Sequence, residues 1–424
     1  MITNDQRIDR RILQQAVSLQ AVGHHVILIA GSLDGKPSFE WIQGVRVERF
    51  IATPSTFTDK IISRVFYELV KVKNNLSQLW RRPKDTLLHD VSMSSDTPTS
   101  RLLRLFLLLL PRHKSLSFFE RSLLERIKFY RPDIIHAHDL PQLRVCSVAG
   151  KQLSSPLIYD AHELYTEIGT LSKFSRLKLK RIERRYIKSC SAITTVNPYI
   201  ATELAERYDI NTPKVILNTL DFIEPQKNEN VLRSFLNLPT ENEIVLYQGW
   251  MSPERGLDLL INAFALVKNS AHLVFMGYGD HQDLLQAQSK IIGIDHRVHF
   301  VPPVSQDELL SWTRCANVGV IPYPAIDLNH KFCSPNKLFE FIQSEVPIVA
   351  NDLPFLRDVV LGEEIGLVAP IESDREFADA INSLLVSSSE SDSELSQALV
   401  SAKNKFSWSH QEVILYSVFD ELLI

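Results

Sequence analysis

Cysteine is scarce in this chain. Cys146, Cys190, Cys315 and Cys333 are spread over 424 positions with no CxxC pair among them. That spacing argues against a disulfide framework and a cysteine zinc site, and it suits a reducing cytosol. An excess of one charge is also lacking: 46 lysines and arginines against 50 acidic residues leave a formal net charge of −4. A dedicated nucleic-acid binder shows a basic excess, so no nucleic-acid partner is expected. Long hydrophobic runs are missing too. The most lipid-like stretch, residues 102–110, is about half the ~20 residues a spanning helix needs, and Arg104 interrupts it. The polar opening Met1-Ile-Thr-Asn-Asp5 leads into no signal-type apolar region. The expectation is a cytoplasmic protein, free or peripheral at the inner face of a membrane.

What is present is ordinary globular composition, 45% hydrophobic and 23% charged. A chain of 424 residues exceeds one core and calls for two domains. Short β-branched runs recur in both halves: Val26-Ile-Leu-Ile-Ala30, Ile134-Ile-His-Ala137, Leu157-Ile-Tyr-Asp160 and Ala192-Ile-Thr-Thr-Val196 in the first. Ile244-Val-Leu-Tyr-Gln248, His272-Leu-Val-Phe-Met276, Val298-His-Phe-Val301, Val318-Gly-Val-Ile321 and Ile348-Val-Ala350 follow in the second. Helix-like segments alternate with them, the pattern of doubly wound parallel sheets. The expected division is a first domain over 1–222, a second over 223–404 and a closing helix over 405–424. A polar hinge is expected at 221–230, a helical basic insertion at about 55–130 broken by a loop at 90–100, and another loop at 387–396. Residues 173–188 carry eight lysines and arginines against one glutamate, with Phe174, Leu177, Ile182 and Tyr186 at near-helical spacing. Such a helix either lies on an anionic lipid surface or is a solvated face over a core stripe. One element looks absent. The first helix begins near Asp9, and Met1-Ile-Thr3 is too short for the usual opening strand.

Four places carry candidate chemistry. In Ser334-Pro-Asn-Lys-Leu-Phe-Glu340, Ser334 as N-cap and Pro335 at the first position predict a helix start, where free N–H groups favour an anion. Lys337 adds a cation and Glu340 a carboxylate for ribose hydroxyls; the plain alternative is a well-capped surface helix. Gln248-Gly-Trp-Met-Ser-Pro-Glu-Arg-Gly256 and Met276-Gly-Tyr-Gly-Asp280 are strand-to-helix turns in which Gly249, Gly277 and Gly279 permit close approach and Arg255 could clamp phosphate. In the first half, His136-Ala-His-Asp139 and Tyr159-Asp-Ala-His-Glu163 end apolar strands. His162 there could orient substrate or shuttle protons. His136 reads as a core histidine, and the interleaved histidines and carboxylates lack the compact spacing of a metal site.

These residues together resemble the retaining GT-B glycosyltransferases of family 4. The resemblance runs from Asp9-Arg-Arg11 and Gly23-His24 through His136–Asp139, Tyr159–Glu163, Val215–Asp221, Arg255-Gly256, Gly277-x-Gly279, Ser334–Glu340 and Ile365–Val368 to Trp408. It implies two Rossmann-like domains facing a cleft, and a final helix crossing back to the first. It implies sugar transfer from a nucleotide-diphosphate sugar to a lipid-linked or saccharide acceptor, with retention, no essential metal and no separate cofactor. It places Arg255, Lys337, Ser334 and Asn336 at the diphosphate, Glu340 at the ribose, Val304 at the base and His162 at the sugar. Asp9, Arg10, His138, Asp139 and Glu163 fall on the acceptor side. The pathway implied is cell-surface polysaccharide or glycolipid synthesis, with an anionic membrane surface as partner and the oligomeric state open. Three positions depart from the family: Trp250 stands where an arginine is frequent, Phe332 replaces the first of two paired glutamates, and Glu345 replaces a glycine. The first two motivate an alternative, a catalytically silent partner subunit. A nucleotide-sugar epimerase of the same fold is a third reading, less suited to the Ser334–Glu340 start beside Arg255-Gly256.

Overall fold

The computed structural model describes residues 1–3, 8–32, 36–51, 116–220, 230–387 and 394–423. The expected loop before Asp9, most of the basic insertion with residues 102–110, the hinge at 221–229 and the loop at 388–393 lie outside the described residues. None of the described helices is long and apolar enough to cross a membrane.

In the first domain, strands β1 (Ile27–Gly31), β2 (Ser38–Ile42), β3 (Val45–Phe50), β4 (Ile135–His138), β5 (Leu157–Ala161), β6 (Ala192–Thr195) and β7 (Lys214–Val215) pair in two groups, β2-β3-β1 and β4-β5-β6-β7. All pairings are parallel except the β2–β3 hairpin. Between β1 and β4 lies the place expected to be empty, and Met1–Thr3 fill it. Ile2 N–H donates to His136 O at 2.8 Å and His138 N–H to Ile2 O at 3.0 Å, while Thr3 and Ile29 complete the other side at 3.0 Å each. The expectation that this place is empty is therefore corrected: Ile2 bridges both Ile29 and Ala137, and each peptide of the stub closes a buried bond.

The second domain is wholly parallel: β8 (Glu243–Trp250), β9 (Ala271–Tyr278), β10 (Val298–Val301), β11 (Val318–Ile321), β12 (Ile348–Ala350) and β13 (Gly366–Val368) run in the order β10-β9-β8-β11-β12-β13. The run Ile244–Tyr247 is fully buried, as expected where helices cover both sheet faces. The last helix, Trp408–Leu423, packs on the first helix, Arg10–Ala21. Trp408 Nε1 donates to Ser18 Oγ at 2.7 Å, and Ser18 donates onward to Glu412 at 2.9 Å. Glu345 does take the left-handed backbone that a glycine would suit, at φ 56°, costing about 1 kcal/mol, while its carboxylate pairs with Lys403 at 2.5 Å.

The helix Asn336–Gln343 lies close against β11 because Gly319 has no side chain: a Cβ there would sit 2.6–2.7 Å from ring carbons of Phe341. Gly319→Val should therefore push this helix off its sheet and destabilise the protein by about 1–3 kcal/mol, read as a lowered urea midpoint at unchanged slope.

Candidate active site

Numbered within its own domain, the second sheet has the strand order 3-2-1-4-5-6, so its winding reverses between β8 and β11. Open α/β sheets bind ligands at the carboxyl ends of the strands at that reversal. A cleft of about 610 Å³ opens there, its walls drawn from both domains. Gly249 and Gly277, paired at the ends of β8 and β9, line it, as do Trp250, Arg255, Pro303, Val304, Ser334, Asn336, Lys337 and Glu340. Gly279 lies one residue beyond β9, against the Met251 carbonyl and outside the lining.

The helix starts one residue later than expected: Pro335, not Ser334, is its N-cap, and no side chain caps it. Its first N–H groups are left open toward the cleft, and Ser334 Oγ is buried without a hydrogen-bond partner. Lys337 is 5% exposed, its Nζ 3.5 Å from the ring centre of Tyr247 and 4.8 Å from that of Tyr323. That ammonium has no hydrogen-bond partner in the structure. Burial, with Arg255 nearby, pushes its pKa well below the usual lysine range. The Arg255 guanidinium lies 4.5 Å over the Tyr323 ring. Glu340 accepts from Gln248 Nε2 at 2.6 Å, and Thr313 fixes the same amide from its other side at 2.8 Å.

The opposite wall brings Arg11, His162 and Glu163. His162 sits between two carboxylates, Nδ1 at 3.2 Å from Asp139 and Nε2 at 3.0 Å from Asp160. Burial alone would lower its pKa, yet Asp139 and Asp160 overrule it and hold the imidazole up at about 10. Both ring nitrogens are thus engaged by carboxylates, an arrangement that favours the protonated ring. Asp160 also takes bonds from Gln15 at 3.0 Å, Thr194 at 2.8 Å and His138 at 3.2 Å. The fold brings His136, His138 and Asp160 within 4.8 Å of one another, which corrects the expectation that the interleaved spacing gives no compact ligand set. His136 is buried as foreseen, its ring tilted against His138 at 4.2 Å, and burial keeps its pKa well down.

Two family profiles match this chain: the one described as Glycosyltransferase Family 4 over residues 89–222, and the one described as Glycosyl transferases group 1 over 242–387. The chain belongs to the group 1 glycosyltransferases of the family 4 type. A D-inositol 3-phosphate glycosyltransferase from a Nocardioides species is 24% identical over 312 residues, 66% of this chain and 65% of that one. A second from Xylanimonas cellulosilytica is 25% identical over 227 residues, covering 50% and 51%. The alignments thus span between about half and about two thirds of the curated relatives' own length. Among solved structures, sucrose-phosphate synthase from Thermosynechococcus elongatus superposes with TM-score 0.69 at 17% identity, covering 100% and 98% of the two chains. Anabaena HepE in complex with UDP and glucose gives 0.70 at 14%, covering 99% and 98%. At such identities they establish the shared GT-B fold of two Rossmann-like domains.

The residues expected on the acceptor side separate in the structure. Glu163 lines the cleft; burial pushes its pKa up, and Asn329 donates to it at 2.9 Å. Asp139 grips His162, and His138 is buried behind Asp160. Arg10 and Asp9 lie in a neighbouring cavity of about 370 Å³. Arg11, which sequence reasoning passed over, is the residue that reaches the cleft, held by Asp9 through contacts of 3.0 and 2.7 Å. Where Trp250 removes a cation from one wall, Arg11 supplies one from the other. Phe332 turns away and stacks on Tyr199 at 5.6 Å, and its carbonyl accepts from Asn197 at 2.7 Å. Arg11 and the Tyr247–Tyr323 cradle escape pattern reading because each is defined by its neighbours across the cleft.

The doubly bonded imidazole has a measurable consequence. His162 should stay protonated through neutral and mildly alkaline pH in an NMR titration, and Asp139→Asn should bring its titration down. Because its folded pKa lies above the unfolded 6.5, its stabilising contribution is complete below that value and fades as pH rises toward about 10.

Proposed function

We propose that this chain transfers a sugar from a nucleotide-diphosphate sugar to a lipid-linked or saccharide acceptor with retention of anomeric configuration. The observation that carries the reading is the buried ammonium of Lys337, without a partner, beside Arg255 and the open N-terminus of Asn336–Gln343 at the strand reversal. Such a group is costly to bury unless an anion joins it. A diphosphate fits: helix N–H groups, Lys337 and Arg255 hold its oxygens, and Glu340 takes ribose hydroxyls. As the glycosidic bond breaks, negative charge grows on the departing diphosphate, and these preorganised groups stabilise it without the metal that other folds use. The departing oxygen then takes the acceptor's proton on the face it leaves, so the acceptor enters on that same face. HepE, solved with UDP and glucose, supports a uridine nucleotide as the first donor to try.

A thermal-shift screen across UDP-, GDP-, ADP- and dTDP-sugars tests this. The matching donor at 100 times its dissociation constant should stabilise by about 2.7 kcal/mol, and the absence of any shift would refute the reading. Slow release of free nucleoside diphosphate without acceptor separates an active transferase from a silent binding subunit. Arg255→Ala and Glu340→Ala should each weaken donor binding or turnover by about 1.5–3 kcal/mol while the fold survives.

Binding should also take up a proton. Lys337 is held down when alone and rises again beside a diphosphate, so donor affinity should weaken as pH climbs between those two limits. Calorimetry in buffers of different ionisation enthalpy reads the uptake directly, and it should vanish in Lys337→Met.

For the acceptor side we propose an anionic membrane surface, consistent with surface polysaccharide or glycolipid synthesis. The helix Lys173–Tyr186 turns Phe174 outward at 79% exposure and Leu177 at 49%, so these are not core positions as near-helical spacing suggested. Around them Lys178, Arg181, Arg184, Arg185 and Lys188 are exposed. Lys180 is spent on Glu167 at 2.6 Å. Each exposed cation is worth about 1 kcal/mol near an anionic bilayer. Changing Lys178, Arg181, Arg184 and Arg185 to Glu should abolish salt-sensitive flotation with phosphatidylglycerol vesicles; unchanged flotation would leave the helix a solvated face.

A further inference from the structure

The diphosphate anchors leave without a task His330, which lines the cleft, and Asp327, which lies behind it with one oxygen buried. They belong to the short helix Leu328–Lys331, whose N-cap is Asp327. The Asp327 carboxylate accepts from the His330 backbone N–H at 2.7 Å and lies 2.9 Å from His330 Nδ1. When the ring carries a single proton, a carboxylate on Nδ1 holds it there and leaves Nε2 as an acceptor. The ring lines the cleft beside Asn329 and Cys333, and Nε2 has no partner among the described residues.

The first domain holds this pair in place. The second oxygen of Asp327 is buried without a hydrogen-bond partner over Gly169, where a Cβ would stand only 2.8 Å from it. Asn329 spans the domains: its Oδ1 accepts from the Leu164 N–H at 3.0 Å, and its Nδ2 donates to Glu163. With Phe332 stacked on Tyr199, no side chain from that position reaches this end of the cleft. Residues 327–333 also run directly into the helix start at Asn336, within reach of a group attached to a diphosphate held there.

We infer that His330 Nε2 accepts a hydrogen bond from a hydroxyl of the transferred sugar, with Asp327 as the positioning residue that fixes its tautomer. The pair is then a determinant of donor-sugar choice, because a site built to accept from a hydroxyl rejects a sugar that lacks it there. The inference rests on the donor reading above.

Calorimetric titration of the full chain with UDP and UDP-glucose, extended to the other nucleoside diphosphates and their sugars, tests it. His330→Ala should weaken the nucleotide sugar about five- to tenfold and leave the bare diphosphate within about twofold, the effect of one lost hydrogen bond. Asp327→Ala should show the same split. Asp327→Asn, whose amide oxygen can still accept the Nδ1 proton, should restore most of the difference. Equal losses for diphosphate and sugar, or no loss for either, would overturn the assignment while leaving the donor reading intact. Failure of the unaltered protein to bind any nucleoside diphosphate would remove both.

Discussion

A lysine buried without a counter-ion is the constraint around which the second domain is arranged. An isolated ammonium in a low-dielectric site costs several kcal/mol, so the group gives up its proton readily and waits on two tyrosine faces. Nothing in the core gains from that placement. It is tolerated because the helix carrying Lys337 is fixed by its other face, where Leu338, Phe339, Phe341 and Ile342 are fully buried and Phe341 rests on the bare backbone of Gly319. Packing strength and functional strain thus occupy opposite sides of two helical turns.

The first domain treats charge the other way. There one carboxylate gathers its neighbours: Asp160 collects bonds from Gln15, His138, His162 and Thr194, and His162 is gripped at both nitrogens. The two walls therefore contrast: carboxylates hold the His162 pKa up on one, and burial holds the Lys337 pKa down on the other.

Much of this was legible in the order of residues. Fully buried parallel strands announce themselves as apolar runs, and Ser334–Glu340 marked its helix because proline and a short polar residue have few other uses before an apolar stretch. The cap register was off by one, since Ser334 and Pro335 both suit that place and only packing decides. The stub Met1–Thr3 was illegible because a strand's existence there depends on two pre-formed neighbours. Arg10 and Arg11 cannot be told apart by type; the turn of the first helix sends one to each cavity. The packing of Phe332 was equally hidden, because its partner Tyr199 lies more than a hundred residues away on the other domain.

The chain passes between domains twice, and the two passages lie side by side. Leu220, at the end of the first domain, accepts from the Trp408 N–H at 2.9 Å and bridges to Ser407, where the last helix sets out on its return. The backbone at the end of the first domain and the backbone at the start of the returning helix are thus hydrogen-bonded neighbours, and across the gap Asn329 meets Glu163 and Asn336 meets Asn218.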